Sequence, residues 1–434
     1  MASGVLVGQI TFGPFSLDVS TTRLLRDGVE VELRPQAFQA LWILLQNGGR
    51  PVDYEQMIRD AWDGILVSRH TVAVTVGEVK KALREYGSWI TCRPGLGYRL
   101  EVPKCDALIR RGRHFKNQFT REGLDRAVTC FQQAARNDSG DFRAFEGLSR
   151  CYLLLGTGGM RPPREMYGPF LEAHHQAVEL AGLTPELLTD RAFGLHMYER
   201  RLAEAESQLL DAQRRQPALA STHTFLAMLY VALGRFDDAL HMLEAGYSVD
   251  ALWPMLPATE IMIRFCRREF ECAVACGKKA LELHPYVQLS HVFYAQALDY
   301  AGQTEEALAQ YRRACLICPD LPWLRALEGT GLARAGRRND ALAVLKELER
   351  RRASEYVDAY YMALLRDAVG RRDEAFEELA RACEEGSTAL SILDVDPKMD
   401  PLRGDRRFAR VSQLAAPRCG ATGDQTDPVT CRLQ

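Results

Sequence analysis

A mainly α protein in two parts, a small α+β domain followed by an α-solenoid, is the fold that this sequence predicts. Three observations carry the prediction. Six alanines, Ala205, Ala239, Ala273, Ala307, Ala341 and Ala375, follow one another at intervals of 34 residues. Five residues before them, Gly234, Gly302, Gly336 and Gly370 keep the same step, with Arg200 and Arg268 in the two remaining slots. Residues 1–103 show none of this period and read instead as short strands around three amphipathic helices. A period of about 34 residues is that of the tetratricopeptide repeat, a helix–turn–helix unit. A small residue is needed where its two helices approach, and glycine lets the chain turn between them.

In the first part, Ile10–Leu17 alternates apolar residues with Gly and Pro, and Arg26-Asp27-Gly28 marks a hairpin turn. Pro35 opens a helix over Gln36–Gln46 that Asn47-Gly48-Gly49 ends, with Phe38, Leu41, Trp42 and Leu45 on one face. Asp53 caps a second helix, in which Tyr54, Ile58 and Trp62 recur every four residues. A third starts after Ser68 and runs to about Tyr86, turning Val72, Val76, Val79 and Leu83 inward. Trp89–Leu100 forms two short strands around Pro94-Gly95. Strands, three helices and a closing hairpin make a winged helix-turn-helix.

In the second part, a helix pair is expected at Asp106–Asn137, built on Ala127, Phe131 and Ala134. The pair from Asp141 to about Gly182 carries a Gly- and Pro-rich insertion, Gly156–Pro163, and regular units run from Glu186 to Ser387. Pro217, Pro285 and Pro319 close three of them. The domains are therefore 1–103, a winged helix; 104–417, a tetratricopeptide-repeat solenoid; and 418–434, a polar, frayed tail.

Composition excludes several classes. Hydrophobic content of 47% with 26% charged residues is ordinary for a soluble globular protein, and the net charge of −2 argues against a wholly basic nucleic-acid coat protein. No apolar run approaches the ~20 residues of a membrane helix, and Met1–Phe12 lacks the pattern of a signal peptide. Cys315-x-x-Cys318 and Cys272-x-x-x-Cys276 lack the second ligand pair that structural zinc needs, so core packing is expected. His174-His175 reads as a solvated or capped pair, and Arg214-Arg215, Arg312-Arg313 and Arg337-Arg338 as solvated surface charge. No phosphate loop, nucleophile elbow or paired-carboxylate motif appears, so the chain reads as a non-enzyme without cofactor or metal.

The residues now carry a resemblance. Phe12-Gly13-x-Phe15, Leu33-x-Pro35-x-x-Phe38, Leu41, Leu44, Gly49-Arg50-Pro51-Val52, Ala61-Trp62, Ser68-x-x-Thr71-Val72 and Gly95-x-Gly97-Tyr98-Arg99-Leu100 resemble the effector domain of OmpR/PhoB-type regulators. Glu122-Gly123-Leu124-x-x-Ala127, Gly147-Leu148-x-x-x-Tyr152 and Val395-Asp396-Pro397-x-x-Asp400-Pro401-Leu402-Arg403 resemble the repeats behind such domains in CadC-like and HilA-like transcriptional regulators. No receiver domain is present, so phosphorylation control of the OmpR kind is not implied. The membrane segment of CadC-like proteins is replaced by a short linker, Pro103–Ala107.

In that family the third helix enters the major groove. Carried over by position, its outward face here is Arg69, His70, Thr71, Thr75, Gly77, Glu78, Lys80, Lys81 and Arg84, with Arg93 on the wing. Lys80, Lys81 and Arg84 would neutralise phosphates, Thr71 would bond one near the helix N-terminus, and Arg93 would meet a phosphate or the minor groove. The chain departs from the family at Glu78, where a basic residue is usual, at Thr75, where histidine is common, and at Ala73, where an acid follows the Thr-Val pair. Glu78 would accept a hydrogen bond from cytosine or repel phosphate. The resemblance implies a cytoplasmic transcriptional regulator whose winged helix binds double-stranded promoter DNA and whose solenoid binds a protein, a peptide, a small effector or a second copy. Occupancy would then alter dimer spacing or contact with RNA polymerase. The competing expectation is an interaction scaffold or adaptor with a vestigial winged helix, which Glu78 favours.

Overall fold

The computed structural model describes residues 9–416, apart from 13–14, 20, 27–28, 63, 66 and 103–104. The chain divides into two compact units: residues up to Arg113 with Thr129–Ala144, and His114–Val128 with the residues from Phe145 onward.

In the first unit β1 (Gln9–Phe12), β2 (Phe15–Asp18), β3 (Arg23–Arg26) and β4 (Val29–Val31) form an antiparallel sheet in chain order. The expected hairpin is present, with Arg26 opposite Val29, while its turn residues Asp27 and Gly28 lie outside the described residues. Then come α1 (Pro35–Gln46), α2 (Tyr54–Ala61), α3 (Arg69–Ala82) and the hairpin β5 (Ile90–Arg93) with β6 (Gly97–Leu100). The caps are the expected ones, Asp53 accepting from the Gln56 amide and Ser68 from the Thr71 amide. Phe15, Leu17, Leu24, Phe38, Leu41, Met57, Val72, Val76 and Val79 meet in one core, each no more than 1% exposed. On α2 it is Met57 that is fully buried, while Tyr54, Ile58 and Trp62 pack half-exposed around it. The third helix ends at Ala82 rather than near Tyr86, because Arg84 turns left-handed (φ +54°) and Arg84–Trp89 continues as a 3-10 turn.

The linker expected at Pro103–Ala107 is mostly helix. Pro103 and Lys104 lie outside the described residues, and α4 (Cys105–Lys116) begins directly after them. Leu108 and Ile109 are buried, and burying such a pair favours a packed helix over a free strand of chain. Arg136, on α5 (Arg121–Asn137), donates to the Tyr86 hydroxyl at 2.5 Å, so residues beyond the winged helix take part in this unit.

The second unit is a solenoid of helical hairpins. After α6 (Phe142–Thr157) and α7 (Pro163–Ala181) come α8 (Pro185–Gly194) with α9 (Leu202–Arg215), α10 (Ala220–Ala232) with α11 (Phe236–Val249), and α12 (Met255–Cys266) with α13 (Phe270–Leu283). Three more follow: α14 (Gln288–Tyr300) with α15 (Thr304–Ile317), α16 (Pro322–Arg334) with α17 (Arg338–Arg351), and α18 (Ala359–Ala368) with α19 (Arg372–Glu385). All six periodic alanines fall early in the second helix of a pair and are at most 1% exposed. The turn before each pair's second helix needs a left-handed residue. Gly234, Gly302, Gly336 and Gly370 supply it at φ +72° to +82°, and Arg200 and Arg268 adopt the same conformation at +58° and +65°. Their side chains have distant partners: Arg200 donates to the Leu390 carbonyl at 2.8 Å, and Arg268 pairs with Asp400 at 2.7 Å.

Those partners belong to a C-terminal cap. Thr388–Ile392 and Pro397–Met399 are 3-10 turns, followed by α20 (Asp400–Arg403) and α21 (Arg406–Leu414). Asp396 is fully buried, accepts from the Tyr360 hydroxyl and the Lys398 amide, and pairs with the Lys398 ammonium at 2.9 Å. The tail expected after Pro417 lies outside the described residues. His174 is not solvated: it is 1% exposed, and its Nε2 meets the Leu187 carbonyl at 3.0 Å, because it falls on the inner face of α7. Burial pushes the Cys315 thiol up to about 12 and the Cys318 thiol to about 11, which suits packing rather than thiolate chemistry.

Candidate nucleic-acid interface

Helical periodicity decides which α3 side chains face outward. Val72, Val76 and Val79 define the buried stripe, so the opposite stripe runs through His70, Ala73, Val74, Gly77 and Lys81. Arg69, His70, Thr71, Lys81 and Arg84 are exposed, as is Arg93 on β5. Lys80, Gly77 and Glu78 are half-buried. Thr75 corrects the expectation. It is 5% exposed and lies beside Val72, Val76 and Val79 on the core face, because three residues along a helix returns close to the same side. Carry-over from the family by position gives Thr75 an outward place that its spacing from the buried valines does not allow. Val74, 46% exposed, occupies the outward place instead, and Leu96 is 52% exposed between the wing strands.

The helix start and the wing share one surface. The Arg69 guanidinium lies over the Tyr54 ring at 5.3 Å, and the Tyr54 hydroxyl sits 3.9 Å from Cys92 Sγ, next to Arg93. Tyr54 also packs edge-on against Tyr98 of β6, with centroids 5.6 Å apart. Val52 and Tyr98 exchange backbone hydrogen bonds at 2.7 and 2.9 Å, which fastens the wing to the segment before α2. Thr71 is engaged with the Ser68 hydroxyl at 2.9 Å, and its exposed position leaves the second lone pair of its oxygen accessible.

Glu78 has a partner that sequence reading missed. The guanidinium of Arg34, the residue preceding α1, grips both carboxylate oxygens, with Nε at 2.9 Å from Oε2. The two residues are 44 positions apart, and no local spacing signals the pair. A bidentate Arg–carboxylate pair neutralises the acid while leaving the guanidinium, itself well exposed, at the edge of the face. Among the described residues, no helix is long and apolar enough to cross a membrane, and no cluster of His, Cys, Asp and Glu is suited to a metal.

The fold is thus a winged-helix domain followed by a solenoid of helical hairpins. Residues 28–100 match the family described as "Transcriptional regulatory protein, C terminal". The transcriptional regulatory protein CutR of Streptomyces coelicolor is 36% identical over 85 residues, 19% of this chain and 39% of its own length. The transcriptional activator CadC of Escherichia coli is 24% identical over 98 residues, 22% of this chain and 19% of CadC. The chain thus spans well under half of these relatives, and the likeness is confined to about a fifth of it. A monomeric variant of human IFIT1, solved with m7Gppp-AAAA, superposes over 88% of this chain and 86% of its own at 15% identity, with a TM-score of 0.53. That likeness is one of fold.

Proposed function

We propose that the chain is a cytoplasmic, DNA-binding transcriptional regulator whose α3 enters the major groove of a promoter and whose solenoid receives the controlling signal. The observation that carries this is the exposure of four cations, Arg69 and Lys81 on α3, Arg84 just after it and Arg93 on the wing, within a domain matching the regulator family. Its relatives' roles as transcriptional regulatory protein and transcriptional activator support the same reading. RNA polymerase and a second copy of the chain are the partners through which such a regulator would act. The scaffold reading loses its main support, because Glu78 is matched by Arg34 and no longer sets an uncompensated negative charge against the duplex.

Gel-shift titration against the DNA upstream of the protein's own coding sequence tests the proposal. Lys80→Ala with Lys81→Ala should weaken binding to all sequences alike and flatten the log–log salt dependence by about one to two units. An unchanged slope would show that these lysines do not touch the backbone. Glu78→Gln should act in the opposite sense. It frees the Arg34 charge, so the slope should steepen by about one unit and binding tighten on random DNA as well as on the native site. If Glu78 reads a cytosine, the same substitution weakens the native site alone.

A further inference from the structure

The inner helices of the solenoid, α6, α8, α10, α12, α14, α16 and α18, surround a cavity of about 240 Å³. Segments far apart in sequence close it. Gln288 donates to the Phe119 carbonyl at 3.1 Å, Trp323 to the Gly158 carbonyl of the insertion at 3.1 Å, and Thr388 of the cap to the Thr157 carbonyl at 3.2 Å.

The walls are aromatic and flat. Phe193 and Phe225 stack with centroids 3.9 Å apart and planes 9° apart, and Trp323 stacks on Tyr361 at 5.2 Å. Met197, Met228, Met255 and Met262 fill between them, side chains that adapt to an apolar guest. Two polar groups in this lining are unsatisfied by the protein. His196 is 1% exposed, and among the described residues neither of its ring nitrogens has a hydrogen-bond partner, nor has the indole Nε1 of Trp253. Buried polar groups without partners are uncommon and call for explanation. His196 also lies in a single π turn, Leu195–Glu199, a backbone irregularity that is frequent at functional sites. Burial lowers its ring to about 3, with the Arg200 charge adding to the effect, so the imidazole is neutral and offers one donor and one acceptor.

The charges lining the cavity leave one cation over. Arg150 is paired with Asp190, and Lys398 with Asp396. Asp358 accepts from the Ser387 hydroxyl and the Tyr360 amide, each at 2.9 Å, and burial raises its carboxyl. Lys116 has no ion-pair partner among the described residues, and burial, with Arg150 nearby, lowers its ammonium. Nucleoside polyphosphates need several convergent cations, ideally arginine forks. One cation in an aromatic chamber selects something else.

We propose that this cavity receives a small, flat, mainly apolar molecule bearing a single acidic group, the acid meeting Lys116 and a polar atom of its body meeting His196 or Trp253. The guest has roughly 16–24 non-hydrogen atoms, since a water-sized group takes about 10–15 Å³ of such space. The proposal rests on the reading of the solenoid as the part that receives a signal.

Two dyes that share one apolar body test it on the full chain: 8-anilinonaphthalene-1-sulfonate, with an acidic group, and N-phenyl-1-naphthylamine, without one. The sulfonate should bind saturably at one site per chain and about tenfold more tightly, the usual worth of a hydrogen bond to a charged group. Lys116→Gln, which keeps a polar side chain at the end of α4, should remove that tenfold advantage while leaving the neutral dye unchanged, and Lys116→Arg should restore it. Equal affinities for the two dyes, several loose sites per chain, or displacement of the sulfonate by GTP would each overturn the proposal. Gel shifts run in parallel separate the two readings. Dye selectivity lost with DNA binding retained sinks the cavity alone, whereas selectivity retained with no DNA binding supports the cavity and sinks the regulator.

Discussion

Replacing Asp396 by alanine should cost the solenoid about 3–5 kcal/mol, because it leaves the Lys398 ammonium buried without its counter-charge. Asp396 is 0% exposed, and the Tyr360 hydroxyl and the Lys398 amide lose their acceptor at the same stroke. The Lys398 side chain is only 10% exposed, so it has little solvent to turn to. Urea unfolding of the full chain, followed by far-ultraviolet circular dichroism, reads the loss as a lower midpoint for the repeat transition. Adding Lys398→Met should recover much of it, since an apolar side chain of similar length does not need the carboxylate. A loss under about 1 kcal/mol for the single variant would mean that the cap contributes little to the solenoid.

Gly97→Ala should be nearly as damaging in the first unit. A Cβ on Gly97 would fall 1.9 Å from the Val52 carbonyl oxygen and 2.7 Å from the Asp53 Cα, backbone atoms that cannot swing aside. The residue also sits at φ +89°, where a side chain is strained. Relief requires the wing to part from Val52, giving up the two hydrogen bonds between Val52 and Tyr98. Strain and lost bonds together amount to about 3 kcal/mol or more. Gly95→Ala is the matched control. It has similar left-handed geometry, φ +77°, and open space around the new methyl, so it should cost only about 1 kcal/mol. Equal losses for the two variants would show that the close approach to Val52 is not what matters.

What the sequence made legible follows the range over which each signal acts. The alanine and glycine steps report contacts within one hairpin, and the structure buries every one of those alanines. Ser68 and Asp53 cap helices that start at the very next residue, so their roles were visible locally. Thr75 is buried although the family's outward face, carried over by position, includes it, because its three-residue spacing from Val72 keeps it on the core side. The Arg34–Glu78 pair joins residues 44 apart, and the Gln288–Phe119 contact joins residues 169 apart. Neither leaves a trace in local spacing. The cavity is illegible for the same reason: each lining aromatic looks like ordinary helix packing until seven helices are brought round one space.

The two left-handed arginines carry a consequence of their own. A non-glycine residue in that conformation costs roughly 1–2 kcal/mol, so Arg200 and Arg268 hold two turns in a form their own backbones disfavour. Their bonds to Leu390 and Asp400 offset that cost only while the cap is seated. Detaching the cap therefore leaves the cost of two left-handed turns without that offset, and relaxing either turn would withdraw an arginine from the cap. His196 stands four residues before Arg200, in the π turn that Arg200 closes. A molecule that bound the cavity more tightly with the cap seated would, by linkage, hold the cap on by the same factor, so protection of the C-terminal segment from proteolysis would report its binding.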